Sequence, residues 1–161
     1  MFLLFASNSV WADDYNGSFD MELDEILSVD HYDVDPWKGY FNVTITNLGI
    51  DPWGDFHFSI PENYSAFFST AMEPPTMTIN SQVIDYEWAI VNNDHNLDFY
   101  FYSNPVYQDD QINFNIYTDN TQAKQFFSVS MQPSPVPVTG ALILLSSGLI
   151  GIIGLKRKIK K

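Results

Sequence analysis

The chain has no cysteine among its 161 residues, so disulfide bonds, thiolate catalysis and cysteine-ligated metal sites are excluded. Basic residues are also scarce, since seven Lys and Arg stand against 20 Asp and Glu. Five of the seven cluster in residues 156–161, and only Lys38 and Lys124 accompany the 20 acids of the preceding body, whose formal charge is therefore −18. Such a surface repels nucleic acid and anionic lipid, so we expect neither as a partner of the body.

The body lacks the 3.6-residue period of an amphipathic helix, whereas alternation of apolar and polar residues recurs along it. The clearest case is the segment in which Phe41, Val43 and Ile45 alternate with polar residues. An aromatic content of 16% is too high for a disordered acidic chain, so the body should fold. About eight alternating segments, separated by turns rich in Asn, Asp, Gly and Pro, predict an antiparallel β-sandwich, with a barrel as the alternative.

The pattern also predicts where several strands and turns lie. The first strand is expected to run from Phe19 to Val29, followed by a loop over residues 30–39. Residues 61–75 form the longest irregular stretch, within which either a short strand or a helical turn is open. A tight hairpin is predicted at residues 92–96, and a polar turn at 118–125 before the last strand.

The first twelve residues are typical of a leader. Residues 2–6 are apolar, and Val10-Trp11-Ala12 places small residues at both signal-peptidase positions. We predict a short signal peptide that is cleaved after Ala12, with a buried first strand as the alternative. The folded domain is then expected to cover residues 13–132.

The C-terminal part differs in composition from the body. A proline-rich spacer is predicted at residues 133–137, an uncharged apolar run follows at 138–155, and residues 156–161 are basic. The twenty residues from 136 to 155 would span roughly 30 Å as a helix, about the hydrocarbon thickness of a bilayer. We predict a single transmembrane helix over 138–155 with the basic tail in the cytoplasm; the alternative is a buried core helix.

These three parts form a proline collar, an apolar run and a basic stop, in that order. The collar and the start of the stop are Pro135, Val136, Pro137, Lys156, Arg157 and Lys158. This order resembles the PEP-CTERM sorting signal, in a variant with Val136 where the family has Glu between the prolines. The resemblance covers the last 29 residues.

The resemblance implies a protein exported by a bacterium with a Gram-negative envelope. The C-terminal helix would hold it in the cytoplasmic membrane with the body on the periplasmic side. An exosortase, which is a membrane-embedded transpeptidase, would then process it for the cell surface or the extracellular matrix. Exopolysaccharide of a biofilm is a further partner that the family implies.

Two sets of residues in the body could form binding sites. Asp30, Asp33 and Asp35 are weak calcium ligands in one predicted loop, although a solvated acidic surface explains them as well. Trp37 and Trp53 share a Pro-Trp pattern at predicted loop tips and could stack on sugar rings. The alternative is that both indoles cap the two ends of the core.

The chain shows no catalytic motif. Its three histidines are isolated, and no Ser, Asp or Glu stands at a recognisable catalytic spacing from them. We therefore expect a non-enzymatic, exported β-sandwich protein without a cofactor. The alternatives are a carbohydrate-binding module of the exopolysaccharide matrix and a permanently tail-anchored envelope protein that is never processed.

Overall fold

The chain folds into two β-sheets in a computed structural model that describes residues 14–32, 38–120 and 126–137. These residues form eleven strands, more than the eight or so predicted, because the first predicted strand is divided in two and two other strands are only two and three residues long. In chain order they are β1 Tyr15–Met21, β2 Leu27–Tyr32, β3 Lys38–Asn47, β4 Trp53–Ser59, β5 Ala66–Phe68, β6 Thr76–Ile79, β7 Gln82–Val83, β8 Glu87–Val91, β9 Asn96–Tyr100, β10 Gln111–Asn120 and β11 Phe126–Pro135.

The predicted β-sandwich is confirmed. The first sheet has six strands in the order β1-β3-β10-β6-β7, with β5 also paired to β10, and the second has the order β2-β11-β4-β9-β8. Phe114 of β10 joins the two sheets, because its ring lies 5.0 Å from Phe56, 4.8 Å from Phe58 and 4.9 Å from Phe99. All four rings are buried, so an aromatic cluster forms the centre of the core.

The predicted transmembrane helix at 138–155 lies outside the described residues. Within residues 14–32, 38–120 and 126–137, no helix is long and apolar enough to cross a membrane.

The prediction of one strand from Phe19 to Val29 is wrong. The alternation is interrupted at Glu25 and Ile26, so β1 ends at Met21 in the first sheet and β2 begins at Leu27 in the second. Between them Asp24 has a positive φ of 69°, and the backbone N–H of Glu22 donates to the Glu25 carboxylate at 2.7 Å. The sandwich is also not wholly antiparallel, since β1 pairs parallel with β3.

The predicted hairpin at residues 92–96 is confirmed. It joins the antiparallel strands β8 and β9, and Asn92, Asn93 and Asp94 have φ values of 57°, 52° and 66°. Asn and Asp tolerate this left-handed conformation better than other residues with a side chain, which explains the composition of the turn.

Three predicted non-strand segments are partly strand. The loop at 30–39 is shorter than predicted, because β2 runs to Tyr32 and β3 begins at Lys38. The polar turn at 118–125 begins later than predicted, because β10 continues to Asn120 and pairs there with β5. The open choice between a short strand and a helical turn within residues 61–75 is thereby decided, since β5 is a short strand. The spacer at 133–137 is likewise shortened, because β11 runs to Pro135 and pairs with β4.

Pro133 and Pro135 are compatible with a strand for a local reason. The pairing of β11 with β2 ends at Met131, so the last four residues of β11 pair on one side only, with β4. A proline that directs its missing N–H away from the paired side costs the sheet no hydrogen bond.

Candidate functional site

A polar cluster lies on the outer face of the second sheet, where β11, β4 and β9 are neighbours. Alternation on β4 turns Phe56 and Phe58 inward and therefore turns Asp55 and His57 outward. The register places His57 opposite Asp98 of β9. On the other side, β11 brings Ser134 opposite Asp55.

His57 is the centre of this cluster. Its Nδ1 lies 2.8 Å from Asp98 Oδ1, and its Nε2 lies 3.1 Å from Ser134 Oγ. Asp55 Oδ1 lies 3.5 Å from the same Nε2, which is an ion-pair distance but not a hydrogen bond. The side chain of His57 is 36% exposed, whereas those of Asp98 and Asp55 are 18% and 12% exposed.

Two tyrosines complete the hydrogen bonding of the carboxylates. Tyr100 donates its hydroxyl to Asp98 Oδ2 at 3.3 Å, and Tyr102 donates to Asp55 Oδ2 at 2.9 Å. The two rings lie 6.0 Å apart. Partial burial, together with the hydrogen bond to Asp55, raises the pKa of Tyr102 to about 12. Both carboxylates are thus held by neutral phenols.

The order Ser134, His57, Asp98 matches the partners of a catalytic triad, since each imidazole nitrogen faces the appropriate group. The surroundings differ from a triad in two ways. Ser134 lies between Pro133 and Pro135, which have no N–H to stabilise an oxyanion. A second carboxylate, that of Asp55, also lies near His57 Nε2, whereas in a catalytic triad this nitrogen faces the nucleophilic serine alone. The geometry instead links the end of β11 to β4 and β9.

A close backbone contact reinforces this link. A Cβ placed on Gly54 would lie 2.8 Å from Val136 Cα and 2.8 Å from Tyr102 Cδ1, so only glycine allows Val136 to approach. Val136 is consequently half-buried, whereas Pro135 and Pro137 are exposed. The collar of the predicted sorting signal therefore begins on the sandwich itself.

The predicted role of Trp53 as a sugar-stacking platform is wrong. Trp53 begins β4, is fully buried, and packs against Phe56 with ring centroids 5.9 Å apart. Its indole caps the core, which is the alternative that the sequence left open. Trp37 and the basic residues Lys156, Arg157 and Lys158 lie outside the described residues.

Only one of the three predicted calcium ligands lies among the described residues. Asp30 is exposed on β2, where it pairs with Ser128, while Asp33 and Asp35 lie outside the described residues. In the part of the chain that the structure describes, no group of three or more His, Asp and Glu side chains could hold a metal ion.

Sequence reasoning missed the residues that meet at His57 because they are distant along the chain. Asp98 is 41 residues away and Ser134 is 77 residues away. A signal for one of them was present, since the alternating patterns of β4 and β9 turn both His57 and Asp98 outward. The register that brings them together is not visible in either pattern.

No protein-family model matches the chain. Comparisons with curated proteins and with solved structures give no significant match either.

Proposed function

We propose that this chain is an exported, non-catalytic β-sandwich protein. It is displayed at the envelope or in the extracellular matrix of a bacterium, and its C-terminal segment anchors or sorts it there. The main support for this proposal is that the last strand of the sandwich continues to Pro135. The uncharged run then begins at Val138, only three residues later. Three residues of extended chain reach at most about 11 Å, so the last strand leads directly into the proposed anchor.

The attachment of β11 supports this arrangement. Its last residues pair with β4, its Ser134 hydroxyl contacts His57, and Val136 packs over Gly54. A strand that is held by neighbours on the sheet can carry the body on a short connection without fraying. Because the chain has no cysteine, its fold needs no disulfide bond after export.

The non-catalytic part of the proposal is supported by the surroundings of Ser134. The prolines on both sides of it provide no oxyanion donors, and a flat outer sheet face does not exclude water from a reacting group. We assign the contact between His57 and Ser134 to the attachment of β11.

The C-terminus of the mature protein tests the sorting proposal. The protein is recovered from the envelope and medium of an exporting host that has an exosortase, and of the same host without it, and its C-terminal peptide is identified by mass spectrometry. Sorting predicts that residues 156–161 are missing only when the exosortase is present. If the peptide persists in both hosts, the protein is permanently tail-anchored. If the body stays in the cytoplasm, export itself is refuted.

The basic stop is tested by its charge. Replacement of Lys156, Arg157, Lys158, Lys160 and Lys161 by Gln removes the positive charge that holds the tail in the cytoplasm. A matched variant carries Arg at the four Lys positions and keeps that charge. We expect the Gln variant to lose its orientation, as measured by protease access in spheroplasts, and the Arg variant to keep it. Equal orientation of both variants contradicts the role of the charge.

A further inference from the structure

The outer face of the first sheet carries a row of side chains that cross four strands. Asn16 of β1, Asn42 of β3, Asn115 of β10 and Thr76 of β6 are in register with one another. Asn115 donates from Nδ2 to Asn42 Oδ1, and Asn42 donates from Nδ2 to Asn16 Oδ1 at 3.3 Å. The row is therefore a ladder of amides in which each member orients the next.

A second row runs parallel to the first, two residues away on each strand. Ser18, Thr44, Asn113 and Thr78 are in register. Thr44 Oγ1 donates to Asn113 Oδ1 at 2.7 Å, and Asn113 Nδ2 donates to Thr78 Oγ1 at 3.5 Å. We call the eight residues of the two rows the neutral face, because each bears an amide or a hydroxyl and none bears a charge. None of the eight is buried.

A neutral face is unexpected on a body with a formal charge of −18. Acidic residues stand at its borders rather than within it. Asp20 follows Ser18 on β1 opposite Thr46, and Asp110 binds Asn80 at 2.7 Å beyond the end of β10. At the other end, the backbone N–H of Tyr40 donates to Asp14 Oδ1 at 3.0 Å. Acids thus lie at both strand ends of the eight uncharged positions.

The neutral face contains an open groove. The groove has a volume of about 350 Å³, within the range of about 300–1,000 Å³ that small-molecule sites occupy, and every residue of the neutral face except Ser18 lines it. At Asn42 the ladder uses one N–H and one carbonyl lone pair, which leaves a second N–H and a second lone pair for a ligand. Because the neighbours already hold the amides in place, binding would cost little side-chain entropy.

The chemistry of the face selects among occupants. An anionic polymer would be repelled by the acids at the border, and a cation would prefer those acids to the uncharged rows. An apolar partner would bury amides and hydroxyls without hydrogen bonds, which is unfavourable. A neutral polyhydroxylated chain offers both donors and acceptors and requires no counter-charge. We infer that the neutral face binds an uncharged polysaccharide, with the two rows of amides and hydroxyls as its hydrogen-bonding partners.

Affinity electrophoresis tests this inference with the full chain in a polyoxyethylene detergent, which avoids the sugar headgroups of other detergents. The native gel contains dextran, a β-1,3-glucan or a galactomannan, and alginate serves as the anionic polymer. We expect at least one neutral polymer to retard the protein and alginate not to retard it. The inference is wrong if no neutral polymer retards the chain, or if alginate retards it equally.

Matched variants locate the binding. Asn113→Asp changes one amide nitrogen to an oxygen and places a charge in the middle of the face, so we expect affinity to fall by about tenfold or more. Asn93→Asp makes the same change in the exposed turn between β8 and β9 of the other sheet and should leave affinity unchanged. Thr44→Val removes the hydroxyl that orients Asn113 without adding charge, and should also weaken binding.

Thermal melting of each variant separates lost binding from lost folding. If Asn113→Asp unfolds, the comparison between Thr44→Val and Asn93→Asp decides. Retention of full affinity by the folded variants of the neutral face would overturn the assignment. Loss of export or sorting in the cell would not affect it, because the neutral face and the C-terminal segment are tested separately.

Discussion

Replacement of Phe114 by Ala should weaken the packing between the two sheets. Phe114 is 2% exposed, and its ring lies within 5.0 Å of the rings of Phe56, Phe58 and Phe99, all on the opposite sheet. Truncation of a buried Phe to Ala costs about 3–5 kcal/mol of unfolding free energy. Each aromatic pair adds about 0.5–1.5 kcal/mol beyond burial, so we expect the upper end of that range, about 4–5 kcal/mol. A domain of this size has a total stability of about 5–15 kcal/mol.

Urea denaturation of the full chain in detergent measures this loss. Tryptophan fluorescence, to which the buried Trp53 contributes, reports on unfolding of the core. With a urea dependence of about 2 kcal/mol per molar, the midpoint should fall by roughly 2 M. Tyr107→Ala is the control, since Tyr107 is 59% exposed and its loss should cost within about 0.5 kcal/mol. A midpoint shift below roughly 0.5 M for Phe114→Ala, or an equal shift for Tyr107→Ala, would refute the packing of the sheets around Phe114.

Three further predictions concern the site and its link to β11. Gly54→Ala should cost about 1–3 kcal/mol in the same denaturation assay, because the added Cβ would overlap the backbone of Val136. Gly49→Ala is the control: the nearest atom to its added Cβ would lie at 3.4 Å, so it should cost within about 0.5 kcal/mol. Equal costs for the two variants would contradict the contact between Gly54 and Val136. In an ultraviolet titration, Tyr102 should ionise near pH 12, chiefly because of burial, and Tyr102→Phe should remove this last phase. The pKa of folded Tyr102 lies above the unfolded value of 10.0, so its contribution to the stability of the fold is complete below pH 10 and is lost as the pH rises towards 12. Ionisation of Tyr102 at its ordinary pKa would contradict this contribution. Ser134→Ala should hydrolyse p-nitrophenyl acetate at a rate within about twofold of the unchanged chain, and a loss of tenfold or more would assign catalysis to that serine.

The long strands were predictable because one face of each is buried and the other meets water, which requires a period of two in the sequence. The inward positions of three such strands are all buried as the alternation indicates, namely Phe41, Val43 and Ile45, then Leu97, Phe99 and Phe101, then Ile112, Phe114 and Ile116. The hairpin at residues 92–96 was predictable for a local reason as well, since Asn and Asp accept the backbone conformation of the turn.

The errors arise where a local pattern has two structural meanings. The alternating residues on both sides of Glu25 and Ile26 look like one strand, but these two residues interrupt the period and the chain changes sheets there. Thr118, Asp119 and Asn120 look like a polar turn, but they end β10 in a buried position beside β5. Trp53 resembles a loop tip after Pro52 and instead begins a strand.

The sequence by itself determined the all-β class, the inner faces of the long strands, the exclusion of cysteine chemistry and the acidity of the body. Only the tertiary structure decided which strands are neighbours and in what register. That register brings Asp98 and Ser134 to His57, and it aligns Asn16, Asn42 and Asn115 in one row. The physical reason is that strand order and register depend on the packing of both sheets at once, so no single segment contains the information.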